Sequence, residues 1–292
     1  LVILDMPGTH SMNNRYRSGD AEALAFKAGN HMLVAPKDIA SSIKKIKKLL
    51  GREPALYQRL DSAVKKILLA KYRAGLFARD SVNINTVKTN LNSAGAAMLN
   101  WNLHEQSITA VRNEGVLPVV NLDNKTFTCV SPDEASTTFD AYLKKYININ
   151  RVVVGAKSNT ATLLKQLSGS DVIIARINAA VEGNIKETML NVLLQLQAQG
   201  RMVIVCDFGS NDMVVHAENF NAYVYAYTDN AYVQTLVPQV VFGALSATGR
   251  LPFSASATVQ QGSGRTVQHI ARLGYALPEA VMMNENTLHE VD

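Results

Sequence analysis

The chain has 292 residues, 47% of them hydrophobic and 18% charged, with a mean hydropathy of +0.01. That balance excludes a disordered or fibrous chain, and the length is enough for about two domains of roughly 150 residues each. The formal net charge is +5. Lys44, Lys45, Lys47, Lys48, Lys65 and Lys66 sit on helical patterns whose other side is apolar, so the surplus reads as a solvated face. No nucleic-acid-binding module is visible. No apolar run approaches the roughly 18 residues that a membrane span requires.

In chain order, Leu1 to Leu4 is a short apolar run ending at Asp5 and Pro7-Gly8, the pattern of a buried parallel strand followed by a loop. Asp20 opens a helix with Gly29 near its carboxyl end, and His31 to Val34 reads as a second strand. Asp38 is placed to cap a helix carrying Ile39, Ile43, Ile46 and Leu50, ended by Gly51. The next helix, over 54–74, shows Leu56, Leu60, Val64, Ile67 and Leu68 in the same rhythm. Between 76 and 102 periodicity fades into an Asn-rich and Ser-rich stretch that reads as an interdomain linker.

From about 103 a helix leads into five Val-rich and Ile-rich runs: T-F-T-C-V, R-V-V-V-G-A, D-V-I-I-A-R-I, M-V-I-V-C-D-F and A-Y-V-Y-A-Y. Helical patterns over 184–199 and 230–243 separate the later ones. This alternation predicts a mostly parallel sheet covered on both faces. Ligands of such sheets meet the loops at the carboxyl ends of the strands, which directs attention to S-P-D-E after 130, N-A-A-V-E-G after 177 and D-F-G-S-N-D after 206. Gly155 and Gly209 lack the spacing of a phosphate fingerprint, so no nucleotide cofactor is implied. Cys129 and Cys206 lie in apolar runs and read as buried small hydrophobes. Two cysteines without close spacing give no support to a zinc site or a disulfide scaffold.

Three segments together resemble glycoside hydrolase family 3. The joint V-K-K-I-L-L-A-K-Y-R-A-G-L-F, then a polar link, then E-Q-S-I-T-A-V-R-N-E-G-V-L-P-V-V-N-L, is similar to the seam between that family's catalytic barrel and its second domain. V-I-L-D-M-P-G-T-H-S-M resembles the seventh barrel strand with the loop holding the nucleophilic aspartate. V-V-F-G-A-L-S-A-T-G-R-L-P-F-S resembles the helix and Gly-Arg-Leu-Pro turn of the second domain, where Gly249 and Pro252 have the plain reading of helix exit and turn. The resemblance covers residues 1 to about 275.

The resemblance implies an α/β protein in which a partial (β/α)8 barrel remnant is followed by an α/β sandwich with a mostly parallel sheet. The expected divisions are 1–75 for the end of the barrel, 76–102 for a linker, 103–275 for the sandwich, and 276–292 for a tail toward a following domain. That tail resembles the junction at which some bacterial members continue into a serine-hydrolase domain. Two strands cannot close a barrel of eight. Leu1 is preceded by no initiator Met or charged leader, so the expectation is a longer protein whose missing amino-terminal barrel segment partners this one. The implied substrate is a terminal β-N-acetylglucosaminide or β-glucoside, with no cofactor and a periplasmic or secreted location.

The implied nucleophile is Asp5, a carboxylate at the strand-to-loop junction where barrel enzymes place catalytic groups. Without the resemblance, an Asp before Met-Pro-Gly is equally a turn-former. The sequence around it departs from the family's common pattern, in which Ser or Thr precedes the Asp. His10, five residues on, is a candidate substrate-binding residue of the same pocket. The acid/base partner is either an Asp-His pair on an earlier barrel loop or, in the glucosidase-like branch, a Glu from the second domain, for which Glu182 is the residue to watch. Asp207, Asp212 and His216 form a polar cluster after a strand. It either takes part in a site or caps the following structure.

Overall fold

The computed structural model describes residues 1–5, 16–36, 38–78, 83–132, 137–281 and 283. The loop after Asp5, His10 included, lies outside the described residues, as does most of the tail after 281. The chain divides into two units, Leu1–Val87 and Lys88–Asp292.

In the first unit, β1 (Ile3–Asp5) and β2 (Met32–Val34) pair in parallel, with Asp5 opposite Val34. They are joined through α1 (Asp20–Ala28), which ends at Gly29 with φ 127°, a conformation that L side chains rarely adopt. Helix α2 (Ile39–Arg52) begins at Asp38, whose carboxylate accepts the Ser41 N–H at 3.0 Å. The Ser41 hydroxyl first, then that N–H, with a smaller contribution from Ser18, hold the Asp38 carboxyl below the ordinary carboxylate range. Gly51 lies within α2, which ends one residue later at Arg52, before Glu53-Pro54, where proline removes an N–H. Ion pairs Lys45–Asp20 (2.5 Å) and Lys27–Glu53 (2.6 Å) tie α1 to the middle and the carboxyl end of α2. Helix α3 (Leu56–Arg73) buries Ala63 and donates an Arg59 Nε hydrogen bond to the Phe26 carbonyl at 2.9 Å. Val64 and Leu68, part of the predicted apolar rhythm, are instead exposed. The amphipathic pattern thus marks two sides of α3, only one of which is covered.

Within residues 76–102, read as a linker, the structure forms α4 (Ile84–Leu91) and the start of α5 (Ala94–Ser107), the latter capped by the Ser93 hydroxyl. The second unit is built on a six-stranded sheet in the order β3-β8-β7-β6-β4-β5. Strands β4 (Phe127–Ser131), β5 (Ile149–Val153), β6 (Val172–Asn178), β7 (Met202–Phe208) and β8 (Ala222–Tyr225) are parallel and match the five predicted runs. β3 (Thr109–Asn113) adds an antiparallel edge where a helix alone was expected.

Period-two alternation sends Cys129, Ile174, Cys206 and Val224 to one face and Val130, Ile173, Val205 and Tyr223 to the other. On the first face α5, α6 (Thr138–Leu143) and α9 (Ala231–Phe242) cover the sheet. On the second, α7 (Thr160–Leu167), α8 (Gly183–Ala198) and a 3-10 turn over Val214–Asn219 do so. The fold is therefore the anticipated α/β arrangement with a mostly parallel sheet. Helix α9 exits at Gly243, with φ 79° and the Pro118 side chain 2.6 Å from where a Cβ would stand. The predicted exit glycine, Gly249, instead packs against the backbone of Ser107 and Ile108.

Candidate functional site

In the first unit, Asp5 is the last residue of β1 and is exposed, with β2 in parallel register beside it. A carboxylate leaving the carboxyl end of a parallel strand stands where barrel enzymes place their chemistry. Among the described residues no ion pair engages it.

In the second unit the order in which the parallel strands are laid down switches sides between β4 and β6, because β5 is added on one side of β4 and β6, β7 and β8 on the other. Strand ends beside such a switch form the crevice in which open α/β sheets bind ligands. Two polar clusters lie at this end, one on each face of the sheet.

The first cluster surrounds Arg176, a cation in the otherwise apolar β6, only 2% exposed. Its Nη2 donates to Asp229 Oδ2 at 2.7 Å, and its guanidinium lies 5.2 Å from the centre of the Phe208 ring. Asn178 Nδ2 donates to the same Asp229 oxygen at 2.7 Å, while Gln234 Nε2 donates to Oδ1 at 2.6 Å. Both oxygens of one carboxylate are thereby engaged. This cluster escaped the sequence reading because its two halves, Arg176 with Asn178 and Asp229 with Gln234, lie more than fifty residues apart. The available signal was a single Arg in V-I-I-A-R-I, since a buried charge demands a partner.

The second cluster contains Asp207, in β7 and fully buried. Its Oδ1 accepts the Ser210 N–H at 2.6 Å, and its Oδ2 accepts the Tyr223 hydroxyl. Burial outweighs these bonds and pushes the carboxyl up to about 7. Burial likewise pushes the Tyr223 hydroxyl well above its ordinary range. Asp212 is mostly exposed and pairs with Lys186 at 2.8 Å, which holds its carboxyl down. Tyr225 donates to Asn211 Oδ1 at 2.6 Å. Gly209 makes the turn possible: its φ is 91°, and a Cβ there would sit 2.6 Å from the Tyr227 carbonyl oxygen. The structure gives Asp207 the turn-forming role, while His216 falls in the 3-10 turn that follows. Glu182 is the exposed residue before α8, where its side chain makes no capping hydrogen bond.

Among the described residues no group of His, Cys, Asp and Glu is arranged to hold a metal ion. Cys129 and Cys206 are buried, with thiols pushed upward by burial, as the sequence reading of inert packing residues requires.

No family model and no curated protein matches the chain. Solved structures do. A glycoside hydrolase family 3 β-N-acetylglucosaminidase from Paenibacillus sp. str. FPU-7 superposes with a TM-score of 0.59 at 17% identity, over 85% of this chain and 50% of that one. A β-glucoside phosphorylase gives 0.54 at 19% identity, over 79% and 44%. A β-glucosidase from Listeria innocua, in complex with isofagomine, gives 0.53 at 14%, over 82% and 38%. The chain therefore spans half or less of the length of these enzymes, and over that span it has the fold found in glycoside hydrolase family 3.

Proposed function

We propose that this chain belongs to a retaining β-glycosidase of the family 3 type, in which residues 1–75 end a catalytic barrel, 76–102 link it onward, 103–275 form the second domain and 276–292 lead toward a further one. The observation that carries the reading is Asp5 at the carboxyl end of a parallel β-α-β unit, in a chain whose fold is that of family 3 β-glycosidases. Among the described residues the two-stranded sheet of the first unit has open edges on both sides, which further strands of the same protein would pair. The natures of the neighbours favour a terminal β-N-acetylglucosaminide or β-glucoside as substrate.

In this mechanism the Asp5 carboxylate attacks the anomeric carbon as the glycosidic C–O bond breaks and an acid protonates the departing oxygen. Water then attacks the glycosyl ester, gives its proton to the same acid/base group and releases Asp5. The two groups belong about 5 to 5.5 Å apart in a retaining enzyme. His10 is assigned to substrate binding on the same loop. The 292 residues alone should be inactive, since two strands supply only part of a sugar pocket.

A second reading, a noncatalytic glycan-binding or scaffolding module, is favoured by the exposure of Asp5 and by a sequence around it, Leu4-Asp5-Met6-Pro7, that departs from the family's common pattern. A 5-fluoro-β-glycosyl fluoride, prepared in the glucosyl and the 2-acetamido-2-deoxyglucosyl series, separates the two. Incubated with a protein in which the barrel is complete, it should leave one fluoroglycosyl mass on the peptide containing Asp5. Label on a different carboxylate would sink the assignment, and absence of label in both the glucosyl and acetamido series would favour the module.

A further inference from the structure

Helix α8 packs on the second face of the sheet through Met189, Leu193 and Leu196, and the same buried stripe begins with Lys186. A lysine on the covered side of a helix is costly unless an anion meets it. Asp207 stands on that same face, two residues beyond Val205 in β7, and is fully buried. The lysine nevertheless pairs elsewhere. Its Nζ donates to Asp212 Oδ2 at 2.8 Å, although the Asp212 side chain is 70% exposed and that of Lys186 only 9%. Among the described residues no cation lies within ion-pair distance of Asp207.

The register shows how near the alternative partner is. β6 aligns Ile177 with Asp207, and Lys186 Nζ stands 3.5 Å from the carbonyl of Ala179, two residues further along. Burial is the chief influence on the Asp207 carboxyl, and Lys186 and Asp212 act on it in opposite senses, the lysine favouring the charged form and the aspartate opposing it. Two carboxylates therefore face one cation. The other charged or titratable groups around Asp207 do not supply a second. In β8, Tyr223 and Tyr225 have hydroxyls pushed up by burial and stay neutral. Cys206 and Arg176 lie on the opposite face of the sheet, the thiol raised by burial and the guanidinium held by Asp229. On the 3-10 turn, Glu218 pairs with Arg112, and His216 is the remaining ionisable side chain. Arg250, beside the buried Leu251, donates to the Thr248 and Gly249 carbonyls.

We propose that Lys186 is a two-position cation, which holds Asp212 while the Asp207 carboxyl keeps its proton and moves onto Asp207 when that proton passes to solvent, so releasing Asp212 and the turn over 209–213. The exchange is favourable because an exposed carboxylate loses little by giving up its partner, whereas a buried ionised one loses much without a cation. With the Asp207 carboxyl at about 7, the change falls in the neutral range. Below it, the carboxyl end of β7 is tied to α8; above it, the edge of the crevice carries a free carboxylate. This inference is independent of the glycosidase reading, because it involves neither Asp5 nor its loop.

The test is a pair of double-mutant cycles in the full chain, followed by urea unfolding with Trp101 fluorescence at about pH 5.5 and about pH 8.5. Lys186→Met combined with Asp207→Asn should show no coupling at the lower pH and at least about a tenfold coupling in the unfolding constant at the higher. Lys186→Met combined with Asp212→Asn should move the other way, from about threefold to none, and should hold at about threefold at both pH values in an Asp207→Asn background. Circular dichroism establishes that each variant is folded. If one is not, hydrogen exchange on the unaltered chain tests the same claim: after correction for base catalysis, protection over 209–213 should fall by about threefold or more between the two pH values while that of β6 holds. Couplings or protection that do not change with pH would overturn the proposal. So would a Lys186–Asp212 coupling that still varies with pH in the Asp207→Asn background, which would place the titration on His216.

Discussion

Replacing Asp207 by Asn tests the electrostatics of the second unit. The carboxyl, in β7 beside β8, is fully buried and its folded-state value is about 7, against 3.8 for an ordinary aspartate. A raised acid stabilises the fold most when protonated in both states, below about pH 4. Between 3.8 and about 7 the unfolded chain has released the proton and the folded one retains it, so stability is lost as pH rises through that window. At about 1.4 kcal/mol per pH unit, the whole loss is about 4 kcal/mol. Asn keeps an oxygen for the Ser210 N–H and offers an amide to the Tyr223 oxygen, so the variant preserves shape while removing the titration. The sole tryptophan, Trp101, lies in the core of the second unit and reports its unfolding without contribution from the first. Urea denaturation followed by Trp101 fluorescence from pH 4 to 8 should therefore show the parent losing about 4 kcal/mol relative to Asp207→Asn as pH rises. Parallel curves, or a parent that gains on the variant toward pH 8, would refute the reasoning.

Arg176→Met should lower stability by about 3 kcal/mol, because it leaves the Asp229 carboxylate without its cation, while adding Asp229→Asn should restore part of that loss; a double-mutant cycle in urea checks both. Gln239 is fully buried, and its amide holds the Tyr275 main chain through a 2.7 Å bond accepted at Oε1 and a 2.9 Å bond donated by Nε2. Gln239→Leu should cost about 2 kcal/mol and raise amide hydrogen exchange selectively around 270–277, whereas uniform exchange increases across the sheet would contradict that local role.

The five parallel strands were legible because both of their faces are buried, which writes a strand as a nearly unbroken run of Val and Ile. β3 was not, since its five residues end in Arg112 and Asn113 and its place is set by pairing with β8 more than one hundred residues later. Likewise α4 and α5 hide in Asn-rich and Ser-rich sequence, where propensity is weak and caps such as Ser93 carry the signal. In α3 the apolar rhythm was visible, but period alone does not tell which of two apolar sides is covered. The Asp207 turn announced itself through D-F-G-S-N-D, whereas the Arg176–Asp229 cluster joins residues that only the sheet brings together. Asp5 was placed by resemblance and by its position after an apolar run. The strand and its parallel partner agree with that position, while the loop that would define its pocket lies outside the described residues.

The central claim is that Asp5 is a glycosidase nucleophile. The most direct measurement is hydrolysis of aryl β-N-acetylglucosaminide and aryl β-glucoside by a protein carrying this chain with a completed barrel, beside its Asp5→Ala variant at matched concentration. The account predicts turnover of one of the two substrates that falls by about 10³ or more in the variant. Turnover that survives the substitution undiminished would contradict it.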